Sequence, residues 1–422
     1  MPDLTSRAVT GFSGILAINC TCEGLSSAAL DMAFKSGTCA VVVGLDLNGL
    51  GVVRSLGRAG IPTITLDTNL GSPTAATRFS RKIRASALSG PGLVDSLNQL
   101  RSTLAIDPVL ILTQEASVET VSAMRTSLFE RFRISMPKHE TMLVLLDKLK
   151  FQDAAERLGF SIPRATRISG ELSPAWSAHL RFPCVMKPTT KHLAWALHFK
   201  KAYKVHSADE VARLWAQMRE VVDEVIVQEW IEGDDSDVYF CLQYIAPAGG
   251  TVSFVGRKLR QWPPLVGGTA CCVPAPEAEE LAALTSNFFC AVGFVGLGSM
   301  EYKRDRRDGR FYMVEPTVGR TDFQEEVATL NGINIPLAVY LGELGRPLPT
   351  PAPMAQAVGW RDPVGDANAL ATRSAPATIA QVPLRDAYFR LNDPGPYLAL
   401  STGRIVRRLN KLHPAADKND LP

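Results

Sequence analysis

Glu301 and Glu315 are the residues whose type and spacing most directly suggest chemistry. Both lie in the segment 298–320, GSMEYKRDRRDGRFYMVEPTVGR, which has the pattern of two apolar-rich strands joined by a charged turn at Asp308-Gly309. If the loop runs over residues 306–310, pairing of the two strands places Glu301 opposite Glu315. Facing carboxylates repel each other, but Mg²⁺ between them makes the arrangement favourable, because proteins usually hold this ion with one or two carboxylates and substrate phosphates. The alternative is a solvated hairpin with two unrelated acids.

Two lysines upstream stand where phosphate groups can be bound. Lys148 begins a predicted helix, and Lys187 ends the short buried strand predicted in RFPCVMKPTT. A lysine at such a position is a point charge that suits phosphate. Taken alone, a lysine at such a position is more often a surface residue at the end of an element. The two lysines indicate a phosphate site only together with the acidic pair that follows them in the chain.

The composition narrows the classes of partner and site. The 422 residues require two or three domains, and 46% hydrophobic with 21% charged residues is typical of a soluble globular protein. A net charge of +3 is too balanced for nucleic acid or an anionic membrane as the main partner, and no apolar run reaches the roughly 20 residues of a membrane helix. The first residues lack a signal-peptide layout, so we expect a cytoplasmic protein. The eight cysteines and six histidines lack metal-ligand spacing.

Residues 40–67 have the pattern of a βαβ unit. An apolar strand at 40–43 is followed by a glycine turn, a helix at about 49–59 and a second strand that ends at Asp67. This order predicts a parallel sheet with helices on its faces, and a later strand and helix between residues 109 and 129 complete the first domain.

The glycine turn of this unit does not match a dinucleotide fingerprint. Gly44, Gly49 and Gly51 are not spaced as G-x-G-x-x-G, although Asp67 stands where a ribose-binding acid could be. We therefore favour a Rossmann-like fold without a dinucleotide over an NAD(P)-binding domain.

The rest of the chain has more strands than helices. One helix is predicted at about 148–158, with Gly159 as its C-terminal stop, and a charged amphipathic helix at about 208–221. The segments VIVQEWIEG, DVYFCLQY and VSFVGRKLR have strand patterns, which with the 298–315 hairpin predict an antiparallel sheet in an α+β module. After residue 346 the composition predicts a linker or loosely structured tail, in which LRDAYFRLNDPGPYLAL can still pack a strand or turn onto the body.

The order of these features resembles the ATP-grasp superfamily, in particular its carboxylate–amine ligases. The resemblance covers about residues 40–345, and no single motif in it is specific. The ordered set in compatible strand and helix contexts is the signal. It consists of the Rossmann-like first domain, Asp147-Lys148, the strand ending in Met186-Lys187-Pro188, the hinge-like QEWIEG at 228–233, and the strand pair with Glu301 and Glu315.

The resemblance implies an α/β and α+β multidomain fold. A Rossmann-like pre-ATP-grasp domain would precede an ATP-grasp fold, whose two α+β subdomains clamp ATP. A homodimer is also expected, because dimers are common in the family. The implied boundaries are an N-terminal arm at 1–38, the pre-ATP-grasp domain at 39–136, the ATP-grasp domain at 137–346 (small subdomain about 148–222, large subdomain about 223–346) and a C-terminal extension at 347–422.

The resemblance also implies which residues hold ATP. Two lysines would bind the α- and β-phosphates, and the backbone of 229–231 would meet the adenine edge, with Gln228 or Glu229 assisting. Asp235 or Asp237 would take the ribose hydroxyls, and the strand alignment favours Asp237. The implied nucleotide-binding residues are Lys148, Lys187, Gln228, Glu229, Trp230, Ile231 and Asp237.

The implied metal ligands are Glu301 and Glu315, which would hold Mg²⁺, or Mn²⁺ in its place, where it bridges the phosphates. The family pattern Glu-x-Asn-x-Arg becomes Glu-Pro-Thr-Val-Gly-Arg here, so Thr317 replaces the metal-binding Asn and Arg320 comes one position late. Thr317 is a weaker oxygen donor. The loop at 189–192, TTKH, also lacks the glycines that the family uses to close over phosphate.

The implied catalytic residues are Arg320 and Lys258. Arg320 would meet the anionic substrate or acyl phosphate through its planar guanidinium. Lys258 lies in the strand segment GRKLR with Arg257 and Arg260, and each of the three could serve similarly. A solvated basic strand end is about as common an explanation for this segment.

The function implied is an ATP-dependent ligase that joins a small-molecule carboxylate to an amine. ATP would phosphorylate the carboxylate, and the amine would displace phosphate from the acyl phosphate, with ADP also released. Amino acids, peptides and cell-envelope precursors are the substrate candidates. The alternatives are an ATP-grasp kinase or acylphosphate former with a non-amine acceptor, a nucleotide-binding protein without turnover, and an NAD(P) oxidoreductase built on residues 40–67.

Overall fold

The computed structural model describes residues 37–173, 175–189, 193–200, 202–372 and 380–412. Nearly all of the N-terminal arm predicted at 1–38, and residues 190–192 of the predicted phosphate loop, lie outside the described residues. The described chain is a mixed α/β protein built on three sheets.

The first sheet has four parallel strands. Three of them are fully buried runs of mostly β-branched and aliphatic residues, as is typical of a parallel sheet covered on both faces, and these pairings confirm the predicted parallel arrangement. The fourth is the charged edge strand RKIR. In the order β3-β2-β1-β4, the strands are β1 Ala40–Val43, β2 Thr63–Asp67, β3 Arg81–Arg84 and β4 Val109–Leu112.

The glycine turn after β1 serves close packing. A Cβ on Gly49 would come within 2.1 Å of the Gly44 carbonyl oxygen, and Gly44 itself has φ +92°. The Asp67 carboxylate accepts hydrogen bonds from the backbone N–H groups of Leu45 (2.6 Å) and Asn69 (2.7 Å), so it holds this turn. The helices around the first sheet are α1 Leu47–Arg58, α2 Gly90–Arg101, α3 Glu115–Ala123 and α4 Arg125–Leu128, with a 3₁₀ turn at Pro73–Ala76.

The second sheet is antiparallel, with the order β5-β8-β6-β7. One of its faces packs on an amphipathic helix that buries Val211, Trp215 and Met218 at three- and four-residue spacing, and Ser207 caps that helix by accepting from the Glu210 N–H. The strands are β5 Ala165–Ser169, β6 Cys184–Pro188, β7 Tyr203–Val205 and β8 Glu224–Glu229. The helices are α5 His139–Leu146, α6 Lys148–Arg157, α7 Leu193–His198 and α8 Ala208–Met218.

The third sheet has seven strands in the order β13-β12-β9-β10-β11-β14-β15, antiparallel except for β14 with β15. The prediction of one antiparallel sheet was therefore incomplete, because the strands after Lys148 divide between two sheets. Its strands are β9 Val238–Ile245, β10 Thr251–Trp262, β11 Gly268–Pro274, β12 Gly296–Arg304, β13 Phe311–Val318, β14 Gly359–Arg361 and β15 Leu384–Asp386. The helices are α9 Ala278–Ala291, α10 Glu326–Leu330, α11 Ile335–Glu343, α12 Pro363–Thr372 and α13 Gly395–Leu412, and a 3₁₀ turn lies at Asp235–Asp237.

The two faces of the third sheet have different neighbours. On one face, Met300 and Tyr302 belong to a core that includes Phe288 of α9. On the other face, Phe240 belongs to a core shared with Leu50 of α1, so this face turns towards the first sheet. Because side chains alternate along a strand, Glu301 projects to the face opposite α9.

The segment after residue 380 is packed onto the body. Strand β15 adds to the third sheet, as predicted for LRDAYFRLNDPGPYLAL. The buried Arg54 of α1 donates from Nε to Asp393 Oδ2 (2.8 Å), and Arg390 donates from Nη2 to Glu326 Oε2 (2.6 Å). These buried ion pairs tie the segment at 390–393 to α1, which packs beside the first sheet, and to α10, which follows β13.

Candidate active site

The β12–β13 hairpin places the two glutamates opposite each other. Glu301 pairs with Glu315 and Ser299 pairs with Thr317, which confirms the predicted register. A bulge follows directly, because the register shifts between Glu301 and Tyr302. Since paired and alternate positions of a sheet share a face, Glu301, Glu315 and Thr317 all project to the face opposite α9.

A buried lysine partly balances this acidic pair. The Lys258 ammonium, only 3% exposed, makes an ion pair with Glu301 Oε2 and donates to Gln261 Oε1 (3.2 Å). The Glu315 side chain is exposed, and within the described residues it has no ion pair. The three groups therefore carry a formal local charge of −1 on a solvent-accessible face, which attracts a cation.

The donor set fits Mg²⁺ that is shared with phosphates. No group of three or more His, Cys, Asp or Glu side chains in the described parts of the chain is arranged to hold a metal ion. The hairpin instead offers two carboxylates and the Thr317 hydroxyl, all hard oxygen donors, and leaves further positions for phosphate oxygens and water. This ligand number and type is what Mg²⁺ accepts at nucleotide sites.

The two lysines predicted to bind phosphate differ in their surroundings. Lys148 is the first residue of α6, whose N-cap Asp147 accepts from the Leu149 N–H (2.9 Å), and in the described structure the Lys148 ammonium makes no ion pair. Lys187, near the end of β6, donates from Nζ to Gln228 Oε1 (3.1 Å). Lys187 and Gln228 thus share one face of the second sheet.

The side chains of Gln228 and Glu229 point to opposite faces of β8. Gln228 lies with Lys187 and also donates from Nε2 to Gln152 Oε1 of α6 (3.1 Å). Glu229 instead accepts from the Arg181 N–H (2.9 Å) on the other face. Of the two side chains predicted to assist at the adenine, the geometry favours Gln228, and the alternation of the strand directs Glu229 away.

The backbone of the hinge has one amide available. The Glu229 N–H donates to the Arg164 carbonyl (2.8 Å) and the Trp230 N–H to the Pro183 carbonyl (3.0 Å). The Ile231 N–H has no such acceptor within the described residues. Among the amides of 229–231, it is the one that can donate to an adenine nitrogen.

The two aspartates after the hinge have different environments. Asp235 is fully buried and its carboxylate accepts from the backbone N–H groups of Gln261 (3.0 Å) and Leu265 (2.8 Å), so it anchors the loop after β10. Asp237 is partly exposed and bonds to the Asp234 N–H (2.8 Å) and to Arg306 (2.6 Å). The geometry therefore agrees with the preference for Asp237 as the ribose residue.

Arg320 lies at the carboxyl edge of the first sheet. It forms an isolated parallel bridge with Leu112, the last residue of β4, and its Nη2 lies 3.7 Å from Glu115 Oε2. Asn48 at the start of α1 fixes the same place by donating to the carbonyls of Thr113 (2.9 Å) and Thr321 (2.8 Å). In the order β3-β2-β1-β4, the chain runs outwards from β1 to β3 and then crosses back to β4 on the other side of β1. The carboxyl ends of strands at such a switch point are where open α/β sheets bind ligands.

The other two basic residues of GRKLR are placed differently from Lys258. Arg260 makes a buried ion pair with Asp366 of α12, with Nη2 3.2 Å from Oδ2. Arg257 shares its face with Tyr239 and lies away from Glu301. Arg260 is therefore not a solvated strand end, because its guanidinium is held inside the protein by Asp366, and a substrate contact by this residue stays a prediction.

Two lysines that sequence patterns did not single out converge on the hinge. Lys204 of β7 and Lys303 of β12 lie over the Trp230 ring, at 4.5 and 4.6 Å from its centre. Burial lowers the pKa of Lys303, an effect that nearby acids including Asp237 oppose. The spacing of Lys303, two residues after Glu301, places it on the same strand face and was an available signal. Lys204 had none.

In the described part of the chain, no helix has the length and apolar character needed to cross a membrane.

Comparisons with known proteins give sequence relatives that are ligases. No family model matches the chain. It is 23% identical over 318 residues to the D-aspartate ligase of Enterococcus faecium (strain Aus0004), covering 70% of this chain and 74% of that protein. It is 25% identical over 190 residues to the D-alanine–D-alanine ligase of Pseudomonas putida (strain GB-1), covering 42% of this chain and 56% of that protein.

Solved structures give the same fold. N5-carboxyaminoimidazole ribonucleotide synthetase in complex with ADP matches with a TM-score of 0.61 and 12% identity over 89% of this chain and 98% of that one. The MgADP-bound biotin carboxylase domain of Hydrogenobacter thermophilus 2-oxoglutarate carboxylase matches with a TM-score of 0.56 and 13% identity, over 74% and 70% of the two chains. The ligase relatives and this shared fold confirm the predicted resemblance to the ATP-grasp superfamily and to its ATP-dependent carboxylate–amine ligases.

Proposed function

We propose that the chain joins a carboxylate to the amine of a small molecule through an acyl phosphate, and that an amino acid of D configuration is one of its substrates. The observation that carries the proposal is the paired Glu301 and Glu315 on the sheet face that also holds Lys258. Lys258 neutralises only one of the two facing carboxylates, and Mg²⁺ that arrives with ATP would neutralise the other. The names of the two ligase relatives supply the D-amino acid.

The residues present can carry the first step by charge and position. Lys148 and Lys187 would hold the α- and β-phosphates, and the Ile231 N–H with Gln228 would fix the adenine. Mg²⁺ held by Glu301, Glu315 and Thr317 would offset the negative charge of the phosphates. A carboxylate oxygen of the acid substrate attacks the γ-phosphorus, and the bond from that phosphorus to the β–γ bridging oxygen breaks, which releases ADP.

The second step forms the C–N bond. The amine nitrogen attacks the acyl carbon, the bond from that carbon to the phosphate oxygen breaks, and the nitrogen loses a proton. Arg320 lies between the end of β13 and the carboxyl edge of the first sheet, where its planar guanidinium can hold a carboxylate or the acyl phosphate. Lys258, which is ion-paired with Glu301, would meet the same acyl phosphate.

The domain organisation extends the proposal. The first sheet with its four parallel strands serves as the Rossmann-like pre-ATP-grasp domain (39–136), and the second and third sheets form the small (148–222) and large (223–346) subdomains of the ATP-grasp domain (137–346). The packing of residues 384–393 against Arg54 supports a role for the C-terminal extension in holding these parts together. We also propose a homodimer in the cytoplasm.

A screen for ADP release tests this function. The purified protein with ATP and Mg²⁺ is given pairs of carboxylates and amines that include D-aspartate, D-alanine and their L enantiomers. We expect ADP release to require both an acid and an amine, and to favour a D-amino acid over its enantiomer. Release that needs the acid but is indifferent to every amine would instead indicate an acylphosphate former, and equal use of both enantiomers would reject the substrate class.

A further inference from the structure

The tip of the β12–β13 hairpin contacts the nucleotide hinge. The tip is the loop at 305–310, which connects the strands of Glu301 and Glu315. Its Arg306 N–H donates to the Glu232 carbonyl (3.0 Å), and Arg307 Nη2 donates to the Trp230 carbonyl (3.5 Å). The element that carries the proposed metal ligands is therefore joined directly to the segment proposed to hold adenine.

The Arg306 guanidinium binds two carboxylates after the hinge. Its Nε lies 2.6 Å from Asp237 Oδ2 and its Nη2 lies 2.7 Å from Asp234 Oδ2. Asp237 Oδ2 also accepts from the Asp234 N–H (2.8 Å), so this oxygen is fixed from two sides. Hydrogen bonding to Asp234 raises the pKa of Arg306, which is therefore charged.

The strand behind the tip makes the connection rigid. Lys303 is 9% exposed and lies over Trp230, and Lys204 covers the same indole ring. The tip itself is closed by Asp305, whose carboxylate accepts from Arg307 Nε (3.0 Å) and whose N–H donates to the Arg310 carbonyl (2.9 Å). The backbone of Arg306 is thus held by the hairpin and by its hydrogen bond to the Glu232 carbonyl.

We propose that Arg306 is a positioning residue for ATP: it holds one oxygen of Asp237 so that the other is presented to the ribose hydroxyls. This inference rests on the proposed nucleotide site. Arg306 acts through Asp237, and because the tip continues into β12 and β13, the same element sets both the ribose contact and the metal ligands. A tip that only braced the fold would have no preference among nucleotides with different sugars.

Nucleotide binding without turnover tests the proposal. The dissociation constants of ATP and of 2′,3′-dideoxy-ATP, which lacks both ribose hydroxyls, are measured by calorimetry for the wild type, Arg306→Ala and Arg310→Ala. Arg310 is an exposed arginine of the same tip that bonds to Ser161 (2.9 Å) and not to the hinge, so its variant is the matched control. We expect wild type and control to prefer ATP, and Arg306→Ala to lose about tenfold in ATP affinity with dideoxy-ATP affinity unchanged.

Two outcomes would overturn the proposal. One is an Arg306→Ala protein that keeps the wild-type preference for ATP or loses affinity for both nucleotides equally. The other is a wild type that binds both nucleotides equally, since Asp237 would then not hold the ribose. If Arg306→Ala does not fold, Arg306→Lys, which keeps the charge without the fork, should show an intermediate preference, and an unchanged preference would reject the idea. Ligase activity does not enter, so the proposed reaction can fail independently.

Discussion

Replacement of Glu315 by Gln tests the metal site most sharply. In the wild type, Glu301, Glu315 and Lys258 together carry a formal charge of −1, and the substitution brings this to zero. A carboxylate and a cation about 4 Å apart attract each other by about 4 kcal/mol near a protein surface. Because Glu315 is exposed, we take about half of this value after solvent screening. A loss of about 2 kcal/mol corresponds to roughly a 30-fold fall in kcat/KM.

The same substitution should not harm the fold. Glu315 faces Glu301 and has no ion pair within the described residues, so its removal relieves a repulsion and Tm should stay the same or rise slightly. Mg²⁺ with ADP should raise the Tm of the wild type more than that of the variant.

ADP formation is measured by a coupled assay across a range of Mg²⁺ concentrations. The control is Glu280→Gln, an exposed glutamate of α9 on the opposite face of the sheet. An unchanged kcat/KM in Glu315→Gln at every Mg²⁺ concentration would refute the assignment, and a loss accompanied by a fall in Tm larger than that of the control would indicate damage to the fold instead.

Three further substitutions test other parts of the structure. Arg320→Lys keeps the charge but removes the planar fork, so steady-state kinetics should show KM for the acid substrate rising about tenfold with KM for ATP unchanged; an equal rise in both would contradict this role. Asp366→Asn removes the carboxylate that is ion-paired with the buried Arg260, so urea denaturation should show a loss of about 3–5 kcal/mol in the free energy of unfolding, against less than about 1 kcal/mol for Asp107→Asn, which removes a more exposed partner from Arg101. Burial, and after it an adjacent acid, raises the pKa of Glu325 to about 8, above its ordinary value of 4.5. The folded state therefore holds a proton that the unfolded state releases, and the resulting stability is present below about pH 4.5 and lost as pH rises to about 8, by up to about 1.4 kcal/mol per pH unit. Glu325→Gln should flatten this decline in Tm, and an unchanged pH profile would contradict the shift.

Local sequence signals predicted the elements that hold the site. The apolar run 40–43 forms β1, Gly159 follows the end of α6, and the turn at Asp308-Gly309 lies in the hairpin loop. Each of these predictions depends only on residues that are next to one another in the chain. Gly159 and Gly309 both have positive φ, which explains why glycine marks these positions. The Glu301–Glu315 pairing followed from the same turn.

Contacts between distant segments were not predictable in this way. The strand RKIR (β3) has no apolar pattern and is held at an edge by pairing with β2. The Lys258–Glu301 ion pair crosses β9, which lies between β10 and β12, so sequence spacing gave no sign of it. The burial of Arg260 was likewise not predictable, because its partner Asp366 is 106 residues away.

Isotope transfer from the acid substrate to phosphate tests directly whether the reaction passes through an acyl phosphate. The acid substrate identified by the ADP-release screen is labelled with ¹⁸O in both carboxylate oxygens, and the phosphate released with its amine partner is analysed by mass spectrometry. If a carboxylate oxygen attacks the γ-phosphorus, one ¹⁸O appears in each phosphate released. Phosphate without label, formed together with the C–N bond, would contradict the mechanism.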